Sequence, residues 1–587
     1  MCNRKKAGLG LILVVASPLL TLPLSWLPKS WADFRYDWVL PLPEIILAVG
    51  LCVACAVLLK RTTAENIVGY PVLFSQRTGL PLLAVLASGL VSTRFSEHSH
   101  FGLELLPRLG GNVAIFLLAA NASRERMSWM RNWWMAVAVI VAINGLLRLR
   151  FEPEFISTLG NKNFLGVYLA ASVVIGTSLG GMWPILGNIV LLTAMALCMS
   201  RGSWLSLALV AALWFLGFGN RFLKRWPTRG VIVLLLLIGA GVLARPYVLR
   251  QWQTDVRPMI WKGTLRMMAA RPMLGHGLGT YVAVYPQYRP PEYFLRPKST
   301  NVTDHAHNEL LEIAAEQGLI GLAATLWLWV TALWCGVRAC RQPDEVGRRI
   351  AFGLLGATVV VMLHGMVDVD LRYLPNQSLL WLLMGLLVGA DPTPARRPQI
   401  PFPSKPARWC LALACLALGI CVAVVAVIRP MMGDWLDREA RIAEENGDLN
   451  AAAQYAWCAL SLQPFRLSTR YLLAGVLSRE PGAPARDAAV EECLRIEELA
   501  PDYADTTYNL GQVYMAANRA AEALPCLRRA VEINPYSADR HVALAMALRD
   551  DSKDDEAVRE LDRALQLRPN NPDARALREK IRKQGTP

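Results

Sequence analysis

Apolar stretches of about 20 residues recur from the start of the chain to about residue 430, separated by short polar or basic segments. A stretch of that length crosses a bilayer only as a helix, because its backbone groups must pair with one another. The pattern therefore specifies a polytopic helical membrane protein, all-α. The stretches centre near 8–27, 39–59, 78–93, 107–121, 133–148, 163–180, 184–199, 203–218, 229–247, 319–337, 350–367, 375–390 and 409–428, about 13 spans. The pair flanking 181–184 also reads as one re-entrant unit. Hydrophobic residues make up 54% of the chain and charged residues 18%, which a soluble domain of this size would not show. The basic start, Met1 to Lys6, lacks a small-residue cleavage site after its apolar run and reads as a first anchor.

Basic residues set the orientation. With the N-terminus in the cytoplasm, the inner loops carry 21 Lys and Arg against eight in the short outer loops. This predicts nine spans in 1–247, an extracytoplasmic segment at 248–318 and four spans in 319–430. The tail, 434–587, then lies outside the cytoplasm, and the host membrane is the inner (cytoplasmic) membrane of a cell envelope. The formal charge of +15 is explained by those loops, so no nucleic-acid partner is expected. The 12 cysteines form no disulfide framework. Cys458, Cys493 and Cys526 recur at repeat spacing and read as small buried side chains. Neither Cys52-x-x-Cys55 nor His305-x-His307 has the partners a zinc site needs, and no metal is expected.

The segment from Arg257 to Gly321 departs from the membrane pattern, carrying Arg257, Lys262, Arg266, Arg271, His305 and His307. Polar chemistry kept beside a membrane usually has a task. Asp304 is placed to cap a helix through HNELLEIAAEQ that stops at Gly318, with Glu309, Glu312 and Glu316 along one face. His307 would then lie in the first turn, where the helix dipole disfavours imidazolium and leaves a neutral ring able to accept a proton. Arg257, Trp261, Leu265 and Met268 fall on one helical stripe and predict a short interfacial helix. Gly275, Gly277 and Gly279 look like a phosphate loop, but no strand precedes them and no nucleotide site is expected. Arg201 opens a span on its outer side, as a snorkelling anchor or as an anion ligand. Asn161 and Asn163 border another span, as helix caps or as binders of sugar hydroxyls. Asp368 and Asp370 follow a third, either solvating a helix end or lining the same cavity.

Beyond Asp434 the chain becomes soluble and helical. Leu510, Gly511, Tyr514, Ala523, Leu527, Ala530 and Pro535 recur 34 residues later as Leu544, Ala545, Leu548, Ala557, Leu561, Ala564 and Pro569. This is the tetratricopeptide pattern of stacked helix pairs, whose usual role is to hold protein partners. Ala489, Cys493 and Pro501 mark a weaker preceding unit and Ala452 to Pro464 a degenerate first one.

His307-Asn308, nine residues, Gly318, two residues, Gly321 resembles the HN-x9-G-x-x-G element of the O-antigen ligase and O-antigen polymerase superfamily. RPMIW and RPMLGHGLGTY resemble that family's Arg-to-PxxGxGxGxY passage. LGNKNFLGVYLA (159–170), SRGSWLSLAL (200–209) and HGMVDVDL (364–371) are weaker family-like pieces in the same order. The resemblance implies a membrane glycosyltransferase of lipopolysaccharide or other polysaccharide biosynthesis. It would take a glycan from an undecaprenyl-diphosphate carrier to an acceptor hydroxyl on the outer face, without cofactor. It further implies His307, Arg257 and Arg201 as the catalytic set, the arginines on the diphosphate, where a guanidinium stays charged and forms paired hydrogen bonds. Arg266, Arg271, Asn308, Asn161, Asn163 and Asp368 are the candidates for substrate binding. A lipid A core acceptor would make the chain a ligase, a growing glycan a polymerase, and a protein hydroxyl an oligosaccharyltransferase. A non-enzymatic membrane scaffold or a glycan flippase is the reading from another class, and the scarcity of charge in the span centres speaks against transport.

Overall fold

The computed structural model describes residues 78–149, 161–218, 254–393 and 428–584, with isolated positions between them. The expected spans near 8–27, 39–59 and 229–247, and most of 409–428, lie outside the described residues. The fold is all-helical, and no strand occurs among the described residues. The chain divides into two compact units. The first comprises residues 1–244, 272–278 and 307–431, and the second 245–271, 279–306 and 432–587.

In the first unit, α1 (Gly79–Arg94), α2 (Ser99–Ala120), α3 (Arg124–Arg148), α4 (Lys162–Thr177), α5 (Met182–Cys198) and α6 (Arg201–Phe218) precede the loop, and the next long helix, Glu309–Ala339, follows it. Among the described residues four helices are long and apolar enough to cross a membrane: Ser99–Ala120, Arg124–Arg148, Glu309–Ala339 and Glu345–His364. Four shorter apolar helices accompany them among the described residues. Every residue of α4 from Phe164 to Gly176 is buried, so this helix is apolar all round because it is surrounded by protein. It packs on α5 and on Glu345–His364, while Leu374–Ala390 packs on α2. Exposed Leu, Ile and Trp side chains on the other helices, such as Leu186, Ile189 and Trp327, form the outward surface an integral membrane protein presents to lipid.

The second unit opens with α7 (Arg257–Ala270) and α8 (Tyr281–Val284); in chain order α9 (Glu309–Ala339), α10 (Glu345–His364) and α11 (Leu374–Ala390) then return to the first unit. The repeats follow as α12 (Arg429–Glu445), α13 (Leu449–Leu462), α14 (Leu467–Arg479), α15 (Ala483–Leu499), α16 (Thr506–Ala516), α17 (Ala520–Ile533), α18 (Ala538–Asp550), α19 (Asp554–Leu567) and α20 (Pro572–Gln584). Each helix from α13 onward packs on the next, and Ala523, Leu527, Ala530, Ala557, Leu561 and Ala564 are wholly buried, as the repeat pattern requires. Of the three repeat-spaced cysteines only Cys493 is buried; Cys458 is exposed and Cys526 intermediate, so the expectation of small core residues holds at one position of three.

Candidate functional site

Helix α9 begins at Glu309, not near Asp304. Asn308 is its cap, its Oδ1 accepting from Leu311 N at 3.0 Å. Asp304 and Asn308 are both capping residue types, and tertiary pairing selects the second. Glu309 N donates to Gly365 O at 2.9 Å, and Asn308 Nδ2 donates to Met366 O at 2.9 Å. His307 consequently precedes the helix and adopts a left-handed backbone, φ 53°. That conformation is uncommon for a residue with a Cβ and costs on the order of 1 kcal/mol. It presents the imidazole to the 364–372 segment. His307 Nδ1 lies 4.0 Å from Asp368 Oδ1, with the histidine side chain 31% exposed and the carboxylate 9%.

Asp368 accepts a hydrogen bond from Asn163 Nδ2 at 2.7 Å. Asn161 caps α4, its Oδ1 accepting from Asn163 N at 2.8 Å, so of the two amides one caps and the other holds the carboxylate. Arg201 opens α6. Its neighbours are packed tightly: a Cβ on Gly166 would come within 2.6 Å of Ser203 Oγ, and one on Gly202 within 3.0 Å of the His364 ring. His364 Nδ1 is 2.9 Å from Asp370 Oδ1, both side chains fully buried. The pieces 159–170, 200–209 and 364–371 therefore meet in the first unit, beside the residues that orient His307.

Two devices fix α9. The first is Arg372, whose Nε lies 3.0 Å from Glu309 Oε2 and 3.2 Å from Glu312 Oε1, and whose Nη1 lies 2.9 Å from Glu316 Oε2. The expected glutamate face is thus gathered by one guanidinium. Burial works against that charge, and the three carboxylates outweigh it, so its pKa is raised above the ordinary value. The second is the glycine-rich turn. Gly318 has φ 68° and ψ −171°, a region open essentially to glycine alone, and it breaks α9. A continuous helix would pair Leu319 N with Ala315 O and Ile320 N with Glu316 O. Here His276 N donates to Ala315 O at 3.1 Å and Gly277 N to Glu316 O at 2.7 Å, while Leu319 N and Ile320 N donate to Pro272 O at 2.8 Å and Met273 O at 3.3 Å. All four orphaned groups are answered by one turn. The close approach leaves no room for a Cβ at Gly275, which would sit 2.3 Å from Glu316 C. Gly275 and Gly277 thus splint a helix break.

The remaining arginines belong to the second unit. Arg257 starts α7, its N donating to Asp255 Oδ1 at 2.9 Å. The buried face of α7 is Ile260, Gly263, Thr264 and Met267, packed toward Tyr281 and Tyr285, with Thr264 Oγ1 2.7 Å from Tyr281 OH. The stripe of Arg257, Trp261, Leu265 and Met268 lies off that buried face, and Leu265 is 54% exposed. Arg266 is exposed and Arg271 half-buried at the end of α7. Trp261 Nε1 donates to Ala306 O at 2.9 Å, fastening the residue before His307 to the helix that carries Arg257.

With this geometry in view, likeness to known proteins becomes informative. Residues 186–326 match the O-antigen ligase family model, and residues 514–581 match a tetratricopeptide repeat model. The chain carries an O-antigen ligase domain. That ligase domain spans Arg201, the arginine helix, the glycine turn, His307 and the break at Gly318. An O-antigen ligase of Pseudomonas aeruginosa is 28% identical over 402 residues, covering 62% of this chain and 93% of the relative. Among solved structures, MamA MSR-1 C2 aligns at 22% identity and TM-score 0.24 over 26% of this chain and 86% of its own. TTC0263, a thermophilic repeat protein of Thermus thermophilus, aligns at 20% identity and TM-score 0.23 over 30% and 94%. Likeness at those scores carries no argument.

Sequence reasoning missed Arg372, which counts there only as an outer-loop charge, and the buried pair of His364 and Asp370. The signal for Arg372 was present: three glutamates on one apolar-backed helix face require a cation.

Proposed function

We propose that the chain is a glycosyltransferase of the O-antigen ligase type. It moves a glycan from undecaprenyl diphosphate to an acceptor hydroxyl on the outer face of the inner membrane, with the N-terminus cytoplasmic and the repeats extracytoplasmic. The observation that carries this reading is the placement of His307 outside its helix, in a left-handed conformation, beside a nearly buried Asp368 that is itself held by Asn163. A carboxylate beside an imidazole favours the protonated ring that forms when the base accepts a proton. In the proposed step the acceptor oxygen attacks the anomeric carbon, and its proton passes to His307. The bond from that carbon to the diphosphate oxygen breaks, and its electron pair leaves with the diphosphate. By the family resemblance, Arg201 and Arg257 stabilise the charge that develops there. Direct displacement inverts the anomeric centre. The acceptor is lipid A core, a growing glycan or a protein hydroxyl, and the repeat tail, absent from a plain ligase plan, makes room for a protein.

The test uses purified full-length protein, a defined lipid-diphosphate glycan and candidate acceptors, with products read by mass spectrometry. His307→Ala, expressed at parental level, is expected to lower transfer by about 10²- to 10⁴-fold, the usual worth of a general base. Transfer at the parental rate would remove the catalytic assignment and return the scaffold or flippase reading.

A further inference from the structure

We infer that the repeat array binds a segment of its own chain, residues 289–304, and that this intramolecular docking is a structural duty of the array. The segment is a closed loop. Arg289 is 8% exposed, its guanidinium lying 5.4 Å from both the Tyr293 and Phe294 ring centroids and 6.0 Å from that of Tyr285. Its Nη1 donates to Asn301 O at 2.9 Å, which ties the two ends of the loop together. Tyr293 OH accepts from Thr300 N at 3.1 Å and so holds the crossing between them.

The loop meets the repeats at Asp505, the residue before α16. Asn301 Nδ2 donates to Asp505 Oδ2 at 2.5 Å, while the other oxygen of that carboxylate takes Arg540 of α18. The Arg289 guanidinium is attracted to the same carboxylate. By the repeat register, Asp505 is matched 34 residues later by Asp539, which pairs with Arg568 in the next repeat step. The array thus carries an acid at a repeated position, each engaged by an arginine of the array, and at Asp505 the chain's own loop adds a second donor. The docked segment leads to Ala306, already fastened by Trp261, so the array holds both the arginine helix and the stretch of chain that runs into His307.

The test is hydrogen–deuterium exchange on the full-length protein in lipid nanodiscs, read over 289–304 and over 506–550. Asn301→Ala removes one exposed donor and leaves the Asp505–Arg540 pair in place. It is expected to speed exchange of 289–304 by roughly tenfold, the worth of a hydrogen bond to a charged group, with 506–550 unchanged. Asn301→Asp sets a second carboxylate against Asp505 and is expected to exceed Asn301→Ala. If both variants leave 289–304 within about twofold of the parent, or if exchange changes only in 506–550, the docking is not what orders the loop and the inference fails. This readout does not depend on transfer activity.

Discussion

Around His307 the polypeptide is held by a few groups that have no substitutes, whereas the repeat array is held by many that are nearly interchangeable. Arg372 reaches Glu309, Glu312 and Glu316 together, and one glycine turn answers the broken hydrogen bonds of α9. In the array, Ala523, Leu527 and Ala530 of one repeat do what Ala557, Leu561 and Ala564 do in the next, and pairs such as Arg528–Glu556 and Arg568–Asp539 are exposed. Buried charge and strained backbone specify one geometry, at the risk of large loss when altered. A stack of repeats needs only continuity, which small apolar residues supply step by step.

The comparison breaks most visibly at Arg372. Replacing it with Leu takes the shared guanidinium from three carboxylates, and breaking a buried pair in this way costs about 3–5 kcal/mol. Thermal unfolding in detergent is expected to show a large drop in Tm, with loss of folded protein on size-exclusion chromatography. A drop no larger than that of an exposed-pair variant would mean that the glutamates are accommodated in another way. Leu527→Ala empties a fully buried position of the array and costs about 2–4 kcal/mol. Because each repeat touches only its neighbours, hydrogen exchange should quicken in α16 to α18 and leave the first unit unchanged; exchange spreading into α9 would contradict that locality. Arg528→Ala removes an exposed pair with Glu556 and is expected to alter stability by less than about 1 kcal/mol, measured by the same melting curve.

Much of this organisation was legible in the residues themselves. Periods of 34 residues and runs of apolar residues are local patterns, and α12 to α20 and the long apolar helices follow from them. The glutamate face of α9 was legible because its spacing is helical. Its cap was misplaced by four residues, since Asp304 and Asn308 satisfy the same local rule and contacts with Gly365 and Met366 decide between them. The partner of the glutamates was not legible, because Arg372 reaches them across 56 to 63 residues and no local rule pairs them. Gly275 and Gly277 were legible as a turn, but their purpose is set by Ala315 and Glu316 far along the chain.

The splint at Gly318 has a consequence for biogenesis. As the nascent chain leaves the ribosome, Pro272 to Gly277 emerge about forty residues ahead of the groups they must meet, and the closure entropy of that interval is settled only once both sides are delivered to the same place. The corner beside His307 therefore cannot close until Ala315 to Ile320 have been made, which sets it among the later-forming parts of its unit.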